Sequence, residues 1–101
     1  MDRYLSIACL QYTSTKDELI TLKKIKRLID KALDVGVEVI ALPECATSLQ
    51  ENPFLTKNLA KPEDENISLQ SLKEMAKSNS IFILIGSLPI KSGDKLLNRS
   101  F

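Results

Sequence analysis

Short apolar runs and amphipathic stretches alternate along the chain. Arg3 to Gln11 reads as a first strand. Its segment Tyr4 to Leu10 is almost uninterruptedly apolar or small, as expected of a strand covered on both faces. Thr15-Lys16-Asp17-Glu18 then fits a capping box, in which the Thr15 hydroxyl and the Glu18 carboxylate satisfy each other's backbone N–H groups. The spacing predicts a helix from Lys16 to Val35. Leu22, Ile25, Ile29, Ala32 and Leu33 form its buried face, and the intervening lysines and aspartates its solvated one. Gly36 suits the position after the helix, where positive φ is needed. Val37 to Leu42 is a second strand, parallel to the first through a βαβ unit. Pro43 has no N–H for a ladder, so the strand stops there and Glu44 falls just past its C-terminal end.

Cys45 to Glu65 is a long polar connection, broken by Pro53 and Pro62, with a short helix expected around Phe54 to Leu59. Connections of such length are often functional. Lys61 to Asn66 reads as solvated surface. Ser68 to Ser78 is a further helix with Ser68 as its N-cap and Leu69, Leu72 and Ala76 on one face, beside Met75. Ile81 to Ile85 is a third strand that reads as fully buried, with Gly86-Ser87 at its end. Lys91-Ser92-Gly93-Asp94-Lys95 signals a turn, and Leu96 to Phe101 begins a fourth strand. The expected order is β-α-β-α-β-β. That is an α/β layer pattern over residues 1–101, without repeats or an internal domain boundary.

Composition narrows the function. A net charge of +1 over 101 residues gives no electrostatic footprint for nucleic acid or an anionic membrane. No apolar run approaches the ~20 residues of a membrane span. The start Met1-Asp2-Arg3-Tyr4 carries no leader pattern. Cys9 and Cys45 make no disulfide framework, so the expectation is a cytoplasmic chain with reduced thiols. Histidine is absent, which excludes Ser-His-Asp and Cys-His pairs within these residues and leaves no zinc site.

In open α/β sheets, ligands bind beyond the carboxyl ends of the strands. Gln11-Tyr12, Pro43-Glu44-Cys45 and Gly86-Ser87 occupy that edge, and of these Glu44 and Cys45 carry reactive groups. On the residues alone, Glu44 is either a site carboxylate or an ordinary exposed one that caps a following turn. Cys45 adjoins it, but successive side chains diverge at a strand end, so Cys45 also fits a small packing residue. Cys9, in mid-strand, reads as core.

Ile40-Ala41-Leu42-Pro43-Glu44 resembles the signature of the nitrilase superfamily of carbon–nitrogen hydrolases, an apolar strand running into Pro-Glu. Gln11 at the first strand end, Gly86-Ser87 at the third, and the later Leu97-Asn98 match in order and placement. The resemblance spans the whole chain, which in turn covers well under half of a family domain. It implies a partial α-β-β-α sandwich and an N-terminal portion of one incomplete hydrolase domain. It also implies a Glu–Lys–Cys mechanism acting on non-peptide C–N bonds of a small amide or nitrile.

In that mechanism Glu44 takes the thiol proton. The Lys and Cys lie downstream of the residues present, so these residues alone are expected to be inactive. Lys91 and Lys95 precede the family's Lys and do not take its role. Gln11, Cys45, Gly86 and Ser87 become substrate-site neighbours, with Gln11 and Asn98 as structural hydrogen-bonders. The family implies no metal or organic cofactor. It implies pairing through a helical face, or a complementing C-terminal polypeptide. The alternative is a non-catalytic remnant or interaction module of the same fold. A nucleotide-binding doubly wound domain needs a glycine-rich turn, which Gln11 to Thr15 lacks.

Overall fold

Three parallel strands carry the sheet: Ile7–Cys9 (β1), Val39–Leu42 (β2) and Phe82–Ile85 (β3), with β2 in the middle. In the computed structural model, which describes residues 3–101, the first strand is shorter than its apolar run. Its pairing nonetheless extends from the Ser6 carbonyl, which accepts from Glu38 and Val39, to the Leu10 N–H, which donates to Ala41. Met1 and Asp2, where the leader-free start was read, lie outside the described residues.

The crossover from β1 to β2 is helix α1, Glu18–Asp34. Its N-cap is Asp17, not Thr15: the Asp17 carboxylate accepts from the N–H groups of Leu19 and Ile20 at 3.0 and 3.3 Å. Asp is a stronger N-cap than Thr, and Thr15 is engaged otherwise. Its N–H donates to the Thr21 hydroxyl, and its own hydroxyl accepts from Asp17 N–H. Glu18 is withdrawn from capping by the buried Ser68 hydroxyl, which donates to it. The predicted face is realised except at Leu33, which is half-buried. Ile25 and Ile29 are essentially inaccessible and Leu22 and Ala32 nearly so, each large side chain contributing about 1.5–3 kcal/mol of burial.

A short helix α2, Pro53–Leu59, is capped by Asn52, whose side-chain oxygen accepts from Leu55 N–H; Pro53 opens it, where a missing N–H costs nothing. Helix α3, Ile67–Asn79, starts one residue before the sequence expectation, with Asn66 as N-cap in place of Ser68. The stretch Lys61 to Asn66 is therefore not simply solvated. Asn66 is buried, Glu63–Glu65 forms a turn of 3-10 helix, and Lys61 makes a bridge to Ile90.

Beyond β3 an additional strand appears. Leu88–Ser92 (β4) and Lys95–Arg99 (β5) form an antiparallel hairpin around Gly93-Asp94, with Gly93 at φ +59°. The order is thus β-α-β-α-α-β-β-β; the short helix expected around Phe54 to Leu59 is α2, and β4 is one strand more than the sequence pattern suggested. Phe101 exchanges both backbone hydrogen bonds with Ile85, which joins the end of the hairpin to β3.

One core unites α1, α3, the β2 and β3 residues Ile40, Leu42 and Ile85, and the hairpin residues Leu88 and Ile90. Only one face of the sheet is covered. On the other, the register aligns Ile7, Val39 and Phe82, then Cys9, Ala41 and Leu84. Phe82 is 77% exposed, Leu84 54% and Ile7 52%. This corrects the reading of the first and third strands as buried on both faces, and of Cys9 as core, since Cys9 is exposed. An apolar run records what a strand can bury, not whether a second layer is present. Among the described residues no helix is long and apolar enough to cross a membrane.

Candidate active site

Parallel pairing in register brings the C-terminal ends of β1, β2 and β3 to one edge. Pro43 ends β2, and Glu44 follows with its side chain exposed. The chain then turns sharply. Cys45 adopts φ +47°, a left-handed conformation that costs a residue with a Cβ about 1–2 kcal/mol.

Both neighbouring segments hold this turn. From the end of β3, the Ser87 hydroxyl accepts from Cys45 N–H at 2.9 Å and the Ser87 carbonyl accepts from Ala46 N–H at 3.0 Å. From the segment after β1, the Ser14 hydroxyl donates to the Cys45 carbonyl and the Tyr12 hydroxyl to the Ala46 carbonyl, each at 2.6 Å. Burial of Tyr12 raises its hydroxyl above the ordinary phenol range, so it is a neutral donor at physiological pH.

Gly86 closes the other side of Glu44. Its N–H donates to the Leu42 carbonyl at 3.0 Å. A Cβ there would lie 2.4 Å from the Pro43 carbonyl carbon and 2.6 Å from the Leu42 oxygen. Only glycine allows β3 to approach the strand end so closely. Its carbonyl accepts from the Ser100 hydroxyl at 2.5 Å.

Of the residues singled out in the sequence, Cys45, Gly86 and Ser87 are thus joined around the backbone that carries Glu44. Gln11 lies at the same sheet edge, exposed. Asn98 lies in β5, paired with Pro89 and exposed. Tyr12 was placed at this edge without a role, and Ser14 went unread. They reach the turn across 34 and 31 positions, and nothing local marks them.

A cavity of about 610 Å³ lies elsewhere. Lys16, Glu18, Gln50, Leu59, Asn66 and Ile67 help line it, and none of Gln11, Glu44, Cys45, Gly86 or Ser87 does. Among the described residues no cluster of three or more His, Cys, Asp or Glu side chains could hold a metal ion.

Residues 6–101 match the model of the carbon-nitrogen hydrolase family. The chain belongs to that family. Omega-amidase NIT2 from Bos taurus is 35% identical over 95 residues, covering 93% of this chain and 33% of that protein. The nitrilase and fragile histidine triad fusion protein NitFhit from Drosophila melanogaster is 30% identical over 97 residues, 96% of this chain and 21% of the fusion protein. The chain therefore spans a third or less of these carbon-nitrogen hydrolase relatives. Among crystal structures, Saccharomyces cerevisiae Nit3, of branch 10 of the nitrilase superfamily, superposes with a TM-score of 0.77 at 23% identity, over 95% of this chain and 38% of its own. The protein XC1258 from Xanthomonas campestris gives 0.80 at 20% identity, over 95% and 35%. These likenesses establish a partial nitrilase-like α/β sandwich.

Proposed function

We propose that this chain supplies the carboxylate portion of an amidase-type carbon–nitrogen hydrolase, with Glu44 as general base. The observation that carries the reading is the placement of Glu44. It sits exposed at the carboxyl edge of the parallel sheet, on a turn held by hydrogen bonds from the segments on both sides. In the mechanism the carboxylate removes a thiol proton and the thiolate attacks the carbonyl or nitrile carbon. A lysine ammonium stabilises the oxyanion, and water hydrolyses the acyl-enzyme to release the acid. The thiol and the lysine come from polypeptide outside these 101 residues. Relatives named omega-amidases favour a small amide as substrate.

Cys45 is not the nucleophile in this reading. Its backbone is committed to the turn, and its side chain adjoins the base rather than facing it across a site. Ammonia release from short aliphatic amides tests the proposal. The 101 residues alone should give none above background, with or without Cys45→Ala. Turnover by these residues that Cys45→Ala abolishes would overturn it.

The uncovered face bearing Phe82, Leu84 and Ile7 supports the second reading, an association module of the same fold. In that case binding to a partner would persist in a Glu44→Gln variant, and no partner complex would hydrolyse amides.

A further inference from the structure

We infer that Ser87 is a positioning residue for Glu44, acting through the backbone of Cys45. The inference rests on the general-base reading of Glu44 and extends it to a residue that does not touch the reacting atoms.

Glu44 is followed by a residue in an unfavourable conformation, Cys45 at φ +47°. Such a conformation persists only where its surroundings over-determine it. Ser87 supplies both hydrogen bonds to the N–H groups of the turn, one from its side chain and one from its backbone, and it is 3% exposed. Without the hydroxyl, the Cys45 N–H loses its acceptor while the left-handed strain remains. The turn then relaxes toward an ordinary extended backbone and carries the Glu44 Cα with it. Ser14 and Tyr12 hold the carbonyl side of the same turn, so the relaxation is a displacement, not an unravelling. A general base displaced by about 1 Å can lose ~100-fold in rate.

The experiment uses the intact protein from its source and compares Ser87→Ala, Ser87→Thr and the double variant Ser87→Ala with Cys45→Gly. Steady-state ammonia release from a short aliphatic amide gives kcat and KM, and hydrogen–deuterium exchange is followed in peptides spanning residues 43–47. Ser87→Ala should lower kcat by roughly 10–100-fold with KM within about 3-fold, and should speed exchange at Cys45 and Ala46. Ser87→Thr keeps the hydroxyl and should restore both. Cys45→Gly removes the strain that drives the displacement and should recover part of kcat in the Ser87→Ala background.

If Ser87→Ala lowers only the melting temperature, leaving kcat per folded molecule and local exchange unchanged, the inference is overturned. Equal losses in the Thr and Ala variants would also overturn it. Glu44→Gln in the same assay separates the two layers. If that variant retains turnover, the base assignment fails, and local exchange alone decides whether Ser87 holds the turn.

Discussion

Replacing Gly86 with alanine should be the most damaging single-methyl change in this chain. The added Cβ would lie 2.4 Å from the Pro43 carbonyl carbon, 2.5 Å from its oxygen and 2.6 Å from the Leu42 oxygen, where ordinary contact begins at 3.4 Å. All are backbone atoms, so no side chain can rotate away and the strand ends must separate by about 1 Å. Overpacking of this kind costs about 1–3 kcal/mol, and three backbone clashes place it at the upper end. The Gly86 to Leu42 hydrogen bond, 3.0 Å long, is stretched as well, for about another 1 kcal/mol. The reduced freedom of the unfolded chain returns about 0.4–1 kcal/mol. The net, about 3 kcal/mol, corresponds to a drop in melting temperature of roughly 12–24 °C for a domain of this size. Thermal unfolding followed by circular dichroism measures it, with Gly36→Ala as control. Gly36 has φ +78° but nothing within 4 Å of a would-be Cβ, so it should lose only about 1–2 kcal/mol. A melting temperature for Gly86→Ala no lower than that of Gly36→Ala would refute the packing argument.

Asp17→Ala should cost about 1 kcal/mol in chemical denaturation, and more than Thr15→Ala, because the Asp17 carboxylate holds two of the free N–H groups of the first turn. For the chain on its own, Phe82→Lys combined with Leu84→Lys should leave the melting temperature nearly unchanged and reduce light scattering, since both side chains are mostly exposed; undiminished scattering would place association elsewhere. Burial holds the Tyr12 hydroxyl above its unfolded value. The stability it contributes is therefore present below about pH 10 and lost as the pH rises through the folded value. Tyr12→Phe should flatten the alkaline fall in melting temperature, and an unaltered slope would contradict this assignment.

The sequence carried the helices and the parallel strands well because their signals are local. Leu22, Ile25, Ile29 and Ala32 recur at helical spacing, and all are buried on one face. Caps were misplaced by two residues at both long helices. Thr15-Lys16-Asp17 and Asn66-Ile67-Ser68 each offer two capping side chains, and a contact across 50 positions, Ser68 to Glu18, withdraws Ser68 from the second pair and Glu18 from the capping box of the first. Strand β4 was hidden by Pro89 and by its polar end, although Leu88 and Ile90 are buried on one side. At the candidate site, strand ends and prolines placed Glu44, Gly86 and Ser87 on one edge. The left-handed turn at Cys45 and its hold from Tyr12 and Ser14 depend on contacts more than 30 positions apart, which no local pattern encodes.

The general-base role proposed for Glu44 is tested by kcat/KM of the intact protein for a short aliphatic amide, wild type against Glu44→Gln. The carboxamide keeps the size of the side chain, and Glu44 is exposed, so folding should be unaffected. Glu44→Gln should lose roughly 100- to 10,000-fold with an unchanged melting temperature. Turnover within about 3-fold of wild type would contradict it, since general-base catalysis contributes at least ~100-fold.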